Sequence, residues 1–390
     1  MIDRRGVLLG GVVLAGCAST GVAGGNARGR RLSATDLEDA LVGSSYLGCG
    51  GGGSLAEARE LIAEDLAVGR VFRAMPVEAL RDGERVACPY ALGSIAPDAN
   101  APEPVVEHVT EASFRLLEEH LGTTFGAVIL GEIGPLSLAE GLSIAARLGV
   151  PALDADTVGR AVPEINQHSV RVSGESLLPA SGVTSLGDRV VLSAVADPSR
   201  PEEVFRALSV AGGGTVGVVD SPLTGRVAKR PGVLVRDSLS LAMRIGRAAR
   251  EAKAAGGDAV EAARAAGDGY TLFRGRVADW DWRDENGFLK GTVTLEGDGG
   301  SRMVLDYINE HLVATLDGEV VATCPDLITV VDERTAEGVG NPDFERGQAV
   351  SVLGFRCDPI WRTPAGLEVF RPRYFGFDVS YIPIETRLEG

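Results

Sequence analysis

Gly126-Ala-Val-Ile-Leu130, the stretch Ser137 to Leu148, and Val150-Pro-Ala-Leu153 decide the fold class of this chain. The outer two are short apolar runs of buried-strand length, and the middle one has apolar residues at helical spacing. Two strands joined through a helix do not form a hairpin, so they run parallel with a right-handed crossover. The expected class is α/β: an N-terminal domain with a partly parallel sheet, then a C-terminal module that becomes β-rich.

The neighbouring sequence extends this reading. Residues 34–47 carry helical spacing with Thr35 or Asp36 as cap, Gly48 to Gly53 interrupts it, and Ser54 caps a second helix, Leu55 to Val68. Val71 to Met75 and Arg85 to Pro89 read as strands, and Pro102 to Leu121 as a helix. Downstream come a strand from Asp188, a helix from Pro201, a strand from Thr215 and a long helix from Leu234 to Ala255. Asp220-Ser-Pro-Leu-Thr-Gly225 reads as a turn. Beyond Gly269 successive strands follow, ending with Val369-Phe370, with turns such as Asp317-Gly318 between them. The expected domains are 34–200 and 201–388, the latter β-rich from about 270.

At 390 residues and 45% apolar, the chain has ample material for packed cores. A net charge of −16 excludes a broad basic surface for nucleic acid and disfavours adsorption of the folded body to anionic lipid. A small polar ligand is the default partner. The first residues are an address. Arg4-Arg5 precede an apolar run from Gly6 to Gly16, too short to span a bilayer, and Leu14-Ala-Gly-Cys17 matches a lipobox. Residues 1–17 are therefore expected to be a signal peptide of twin-arginine type, with Cys17 acylated. Residues 18–33 are a Gly/Ser/Arg-rich tether. The expected location is the periplasmic side of the cell envelope, with membrane contact only through the lipid. Cys49, Cys88, Cys324 and Cys357 form no CxxC pair, which excludes zinc-finger and thioredoxin readings. Disulfide pairing and homo-oligomerisation stay open.

In a parallel sheet, ligands bind beyond the carboxyl ends of the strands. Glu132 follows the first strand of the βαβ unit, and Asp154 and Asp156 follow the second. Adjacent strands are expected to bring these acids together, where like charges need a cation or an arginine. Arg160 is one compensator. A divalent metal, with zinc among the choices, is another, held by Asp154, Asp156 and His168. Gly50, Gly51, Gly52 and Gly53 form a second candidate, a glycine loop whose amides converge on an anion at a helix N-terminus. Asn309-Glu310-His311 and Cys324-Pro-Asp326 form a third, at strand edges. His108 and His120 read as surface residues. No Gly-x-Ser-x-Gly and no His-Glu-x-x-His occurs, so serine-hydrolase and zincin readings have no support.

These motifs, taken in order, resemble the S-methyl thiohydantoin desulfurase family, N- and C-terminal domains, over about residues 34–385. The match runs through Leu47-Gly-Cys-Gly-Gly-Gly-Gly53, Gly131-Glu-Ile-Gly134, Leu153-Asp-Ala-Asp-Thr-Val-Gly-Arg-Ala-Val-Pro-Glu164 and Gly246-Arg-Ala248. It continues through Asn309-Glu-His-Leu, Cys324-Pro-Asp-Leu-Ile, Pro359-Ile-Trp-Arg-Thr and Pro372-Arg-Tyr-Phe-Gly-Phe-Asp378. The resemblance implies hydrolytic removal of sulfur from a thiohydantoin ring. Water attacks the carbon bearing sulfur, a thiol leaves, and a hydantoin remains. It makes Glu132, Asp154, Asp156 and His168 candidate bases or ligands, with Arg160 or the glycine loop holding the substrate. Three features depart from the family pattern: Pro135-Leu-Ser137 in place of Gly and Asn, Thr157-Val158 in place of Gly-Met, and the export signal of a generally cytosolic family. The first reading is a metal-assisted hydrolase of a small thiohydantoin- or hydantoin-like heterocycle. The alternative is a non-catalytic envelope lipoprotein that binds a small acid or a partner protein.

Overall fold

The computed structural model describes residues 28–93, 103–285 and 287–389; the expected leader and the lipobox Cys17 lie outside them. The first sheet is built from β1 (Arg30–Arg31), β2 (Arg73–Met75), β3 (Arg85–Gly93), β4 (Ala127–Leu130), β5 (Ala152–Asp156), β6 (Ala180–Thr184), β7 (Arg189–Leu192), β8 (Thr215–Thr224) and β9 (Val235–Arg236). Its order is β1-β2-β5-β4-β3-β8-β6-β7, with β9 on β5. The expected βαβ unit is present: β4 and β5 are parallel, Val128 opposite Ala152, and the helix Pro135–Leu148 joins them. β2 and β3 extend the parallel part, and β8 pairs antiparallel with both β3 and β6.

The second sheet is wholly antiparallel, as the turn-rich sequence beyond Gly269 requires. Its strands are β10 (Tyr270–Glu285), β11 (Phe288–Glu296), β12 (Arg302–Ile308), β13 (Glu310–Leu316), β14 (Glu319–Thr323), β15 (Leu327–Asp332) and β16 (Ala349–Phe355), in the order β14-β13-β12-β11-β10-β16-β15. The chain passes between the sheets only after the helix Ala259–Ala266, and residues 215–236 still serve the first sheet.

Local physics moves several boundaries. The helix Ala34–Leu47 is capped by Ser33, which exchanges hydrogen bonds with Asp36 in a capping box, so Thr35 and Asp36 already lie inside it. The helix expected from Pro102 begins at Val109. Asp220-Ser-Pro-Leu-Thr224 is strand, not turn, because Ser221 takes a positive φ of 49° and the register slips between Val86 and Cys88. Val369-Phe370 closes the short helix Pro364–Phe370. Ala180–Thr184 and the short helix Ala259–Ala266, with Val260 and Ala263 on its buried face, were not expected from the sequence.

Between the sheets the helices Ala34–Leu47 and Ser238–Ala254 cross closely, with a core of Leu37, Leu41, Leu239, Ala242 and Ile245. Glycines allow the approach: a Cβ on Gly43 would lie 1.7 Å from the Ala242 carbonyl oxygen, and one on Gly246 1.9 Å from that of Asp39. Helix propensity alone makes Gly246→Ala stabilising by about 1 kcal/mol. The clash is expected to win and destabilise the protein by about 1–3 kcal/mol in urea unfolding. Unchanged or raised stability would refute the close crossing.

Candidate active site

The glycine loop leaves the helix Ala34–Leu47 and joins the two halves of the molecule. The Cys49 carbonyl accepts the His311 amide at 2.8 Å, and the Gly50 carbonyl accepts the Asn341 amide at 2.7 Å. On the other side the Gly52 carbonyl accepts the amides of Leu136 and Ser137 at 2.8 and 3.2 Å, serving the start of the helix Pro135–Leu148. Ser54 caps the following helix, Leu55–Ala67, as expected. The expected anion is part of the protein. The Glu310 carboxylate lies against the loop: the Gly52 amide faces it, and a Cβ on Gly51 would fall 1.9 Å from Glu310 Oε1. On Gly52 it would fall 2.4 Å from Gly134 Cα, so no side chain fits at either position.

Glu132 lies just beyond β4 and faces the same junction. Its Oε1 accepts the Ser137 hydroxyl at 2.7 Å and its Oε2 the Val162 amide at 2.9 Å. Burial pushes the Glu132 carboxyl above its ordinary range against these donors and the Arg160 charge. Burial pushes Glu310 well up, the Glu132 charge pushes it further, and Arg160 opposes both. The charge on half-buried Glu132 thus raises the cost of ionising buried Glu310. Glu310 Oε2 is buried without a hydrogen-bond partner, as are His311 Nε2 and Asn341 Oδ1. A Cβ on Gly50 would touch both the Asn341 amide and the His311 ring, so these groups line the loop. Burial pushes His311 down to about 4, so its ring is neutral at physiological pH. Its Nδ1 lies 3.2 Å from the Ile328 carbonyl, to which it donates in that state, leaving a lone pair on Nε2.

The other expected site residues are placed differently. Asp154 accepts the Ser240 amide at 2.9 Å and the Ser240 hydroxyl, anchoring the start of the helix Ser238–Ala254. Asp156 folds back on its own turn, accepting Val158 N–H at 2.9 Å and Gly159 N–H at 2.6 Å. Neither bonds to Glu132, so the strands do not produce the expected three-acid cluster. Arg160 is fully buried and, among the described residues, touches no carboxylate. It donates to the carbonyls of Ala161 (2.9 Å), His311 (3.1 Å), Asp326 (2.9 Å) and Pro325 (3.4 Å), and it stacks 5.3 Å from the Phe370 ring centroid. Its donors are taken up by the fold and not offered to a ligand. Asn309, at φ 56°, accepts the Leu289 amide on Oδ1 and the Asn341 side chain on its carbonyl, which sets Glu310 and Asn341 in place. His108 and His120 are exposed.

The expected metal set of Asp154, Asp156 and His168 does not assemble. His168 instead meets Cys88 and Asp220, and one ligand atom from each lies within 4.8 Å of the others, a buried triad that can hold a metal ion. Cys88 and Asp220 oppose each other in the β3–β8 pairing. Nothing in the spacing of residues 88, 168 and 220 signals this, because only the sheet brings them together. Asn341 gives no sequence signal either. Cys49, Cys88, Cys324 and Cys357 are all free thiols, and among the described residues no helix is long and apolar enough to cross a membrane.

Fold and junction define a two-domain α/β protein whose halves meet over a glycine loop, half-buried Glu132 and buried Glu310. Residues 35–194 match the model of the S-Me-THD-like N-terminal domain, and residues 196–384 that of the S-Me-THD-like C-terminal domain. The chain belongs to this family, and its domains point to a desulfurase-like enzyme. It is also similar to a crystal structure of a protein from Chromobacterium violaceum, at 26% identity and a TM-score of 0.74, over 91% of this chain and 100% of that one. No curated protein matches the sequence.

Asp156 yields a test of the electrostatics. Burial pushes it up to about 7 against its two backbone donors and the nearby Ser238 hydroxyl, which favour the ionised form. Between about pH 4 and that value the folded chain holds a proton that the unfolded chain has released, so stability falls as pH rises through the window. In Asp156→Asn, urea midpoints at about pH 5 and about pH 8 should lie closer together than in the wild type. An unchanged gap would assign the pH dependence to other groups.

Proposed function

We propose that the protein is a hydrolase of a small thiohydantoin-like heterocycle and releases a thiol at the junction of its two domains. The observation that carries the reading is the Glu132–Glu310 pair against the glycine loop, where Glu310 Oε2 and His311 Nε2 are each buried without a hydrogen-bond partner. A pair sharing one proton supplies both a base and an acid. For an S-alkyl thiohydantoin, the ionised member or His311 Nε2 takes a proton from water as its oxygen bonds to the ring carbon bearing sulfur. The protonated member then gives its proton to sulfur as the carbon–sulfur bond breaks. One water is consumed; a thiol and a hydantoin leave. Family membership supports the substrate class. Pro135-Leu136-Ser137 fits the same site, because Ser137 donates to Glu132 and holds it toward the junction.

With S-methyl thiohydantoin propionate as substrate and a thiol-reactive dye as readout, Glu310→Gln and Glu132→Gln are each expected to lower kcat by about 100- to 10,000-fold. Gly51→Ala, which displaces Glu310, should fall with them. Asp154→Asn, placed at a helix start, should leave kcat unchanged. Undiminished turnover in both glutamine variants would remove the pair from the chemistry. A folded wild type that turns over no thiohydantoin would sink the proposal.

The same reading places the enzyme at the cell envelope, on the support of Arg4-Arg5 and the lipobox. Labelled fatty acid should enter the wild-type protein and not Cys17→Ala; equal labelling would overturn the anchor.

A further inference from the structure

We infer that Cys88, His168 and Asp220 form a binding site for one divalent transition-metal ion of zinc type, on a different set of residues from the glutamate pair. Three separate elements converge here. Cys88 comes from β3, Asp220 lies opposite it on β8, and His168 immediately precedes the short helix Ser169–Val172. All three are buried, the side chains of His168 and Asp220 to within 5% and 2% of full enclosure.

The geometry separates this site from its alternatives. His168 Nε2 and Asp220 Oδ1 are 3.5 Å apart, and neither atom is in a hydrogen bond. That is long for a charge-assisted hydrogen bond, normally about 2.7–2.9 Å. It is close to the edge of a tetrahedron about zinc, about 3.4 Å for metal–ligand bonds of about 2.0–2.2 Å. A Cys–His–Asp catalytic relay needs the imidazole between thiol and carboxylate, which holds those two about 7 Å apart. Here sulfur, nitrogen and oxygen lie within 4.8 Å of one another, so they face a common point.

The remaining polar atoms agree. Tyr90 donates to Asp220 Oδ2 at 2.8 Å, which orients the carboxylate and leaves Oδ1 free. Ligand carboxylates are commonly held in this way by an outer residue. His168 Nε2 and Asp220 Oδ1, the two atoms that face the common point, are buried without partners, a costly arrangement for a site meant to stay empty. A thiolate, a neutral imidazole and a carboxylate together carry two negative charges, matching a divalent ion. The mixed sulfur, nitrogen and oxygen set suits zinc, and three protein ligands leave a fourth position open.

The test reads metal and not turnover, so its result is independent of the thiohydantoin reading. The purified full chain is stripped with a chelator and titrated with Co²⁺, with Zn²⁺ as competitor. The expected result is one equivalent per chain, a sulfur-to-cobalt charge-transfer band in the near ultraviolet, and displacement by Zn²⁺. Cys88→Ser should abolish the band, and His168→Ala should weaken binding by more than about 100-fold. Tyr90→Phe, which keeps all three ligands, should weaken it by about 10- to 100-fold and guards against variants that merely fail to fold. A folded wild type that takes up no stoichiometric metal would overturn the inference. So would a cobalt complex without the sulfur band, or one unchanged in Cys88→Ser.

Discussion

A guanidinium with no carboxylate in contact sits at the centre of this molecule. Arg160 is always charged, wholly buried, and among the described residues bonded only to carbonyl oxygens, three of them from the second half of the chain. Burying such a charge is costly unless every donor is occupied and some negative potential stands nearby. The carbonyls of Ala161, His311, Pro325 and Asp326 give each of its three nitrogens an acceptor, and Glu132 and Glu310 provide the negative potential. The dependence is mutual, since Arg160 is the positive charge that opposes the upward push of burial on both glutamates. Domain docking and the charge balance of the two glutamates thus depend on one ion held by dipoles.

The glycine loop is the mechanical counterpart of that ion. Its carbonyls bond to β13 and Asn341 on one side and to the helix Pro135–Leu148 on the other, while its Gly52 amide meets Glu310. Asp326 secures the far end. Its two oxygens accept the amides of Cys357 and Ile384, the Arg362 guanidinium and the Tyr381 hydroxyl, which fastens the C-terminal segment to the strand that follows Arg160's anchor points. Four donors on one buried carboxylate offset its desolvation.

Much of the fold was legible because its signals are local. The runs at 126–130 and 150–153 named a parallel pair, and the short strands and turns beyond Gly269 named a β-rich module. The site was legible only in part. Glu132, Glu310 and the glycines stood out by type, yet their meeting requires the two sheets to dock, which no spacing encodes. Asp154 and Asp156 also stood at strand ends, but nearer donors captured them: Ser240 for one, the Val158 and Gly159 amides for the other. Asp220 was hidden because Ser-Pro after it reads as a turn, and the positive φ of Ser221 lets the strand continue. Cys88 and His168 carry no motif because their relation exists only across β3 and β8.

The position of β8 has a consequence for how the chain reaches this state. The strand belongs to the second matched segment, yet it lies between β3 and β6. A nascent chain that has emerged only as far as residue 214 therefore has β3 with one edge open and the β6–β7 hairpin with nothing to join. Open edges invite pairing with other chains. The boundary between the two segments marks a division in sequence that is not a unit of folding, and neither segment cut at residue 195 retains an intact first sheet.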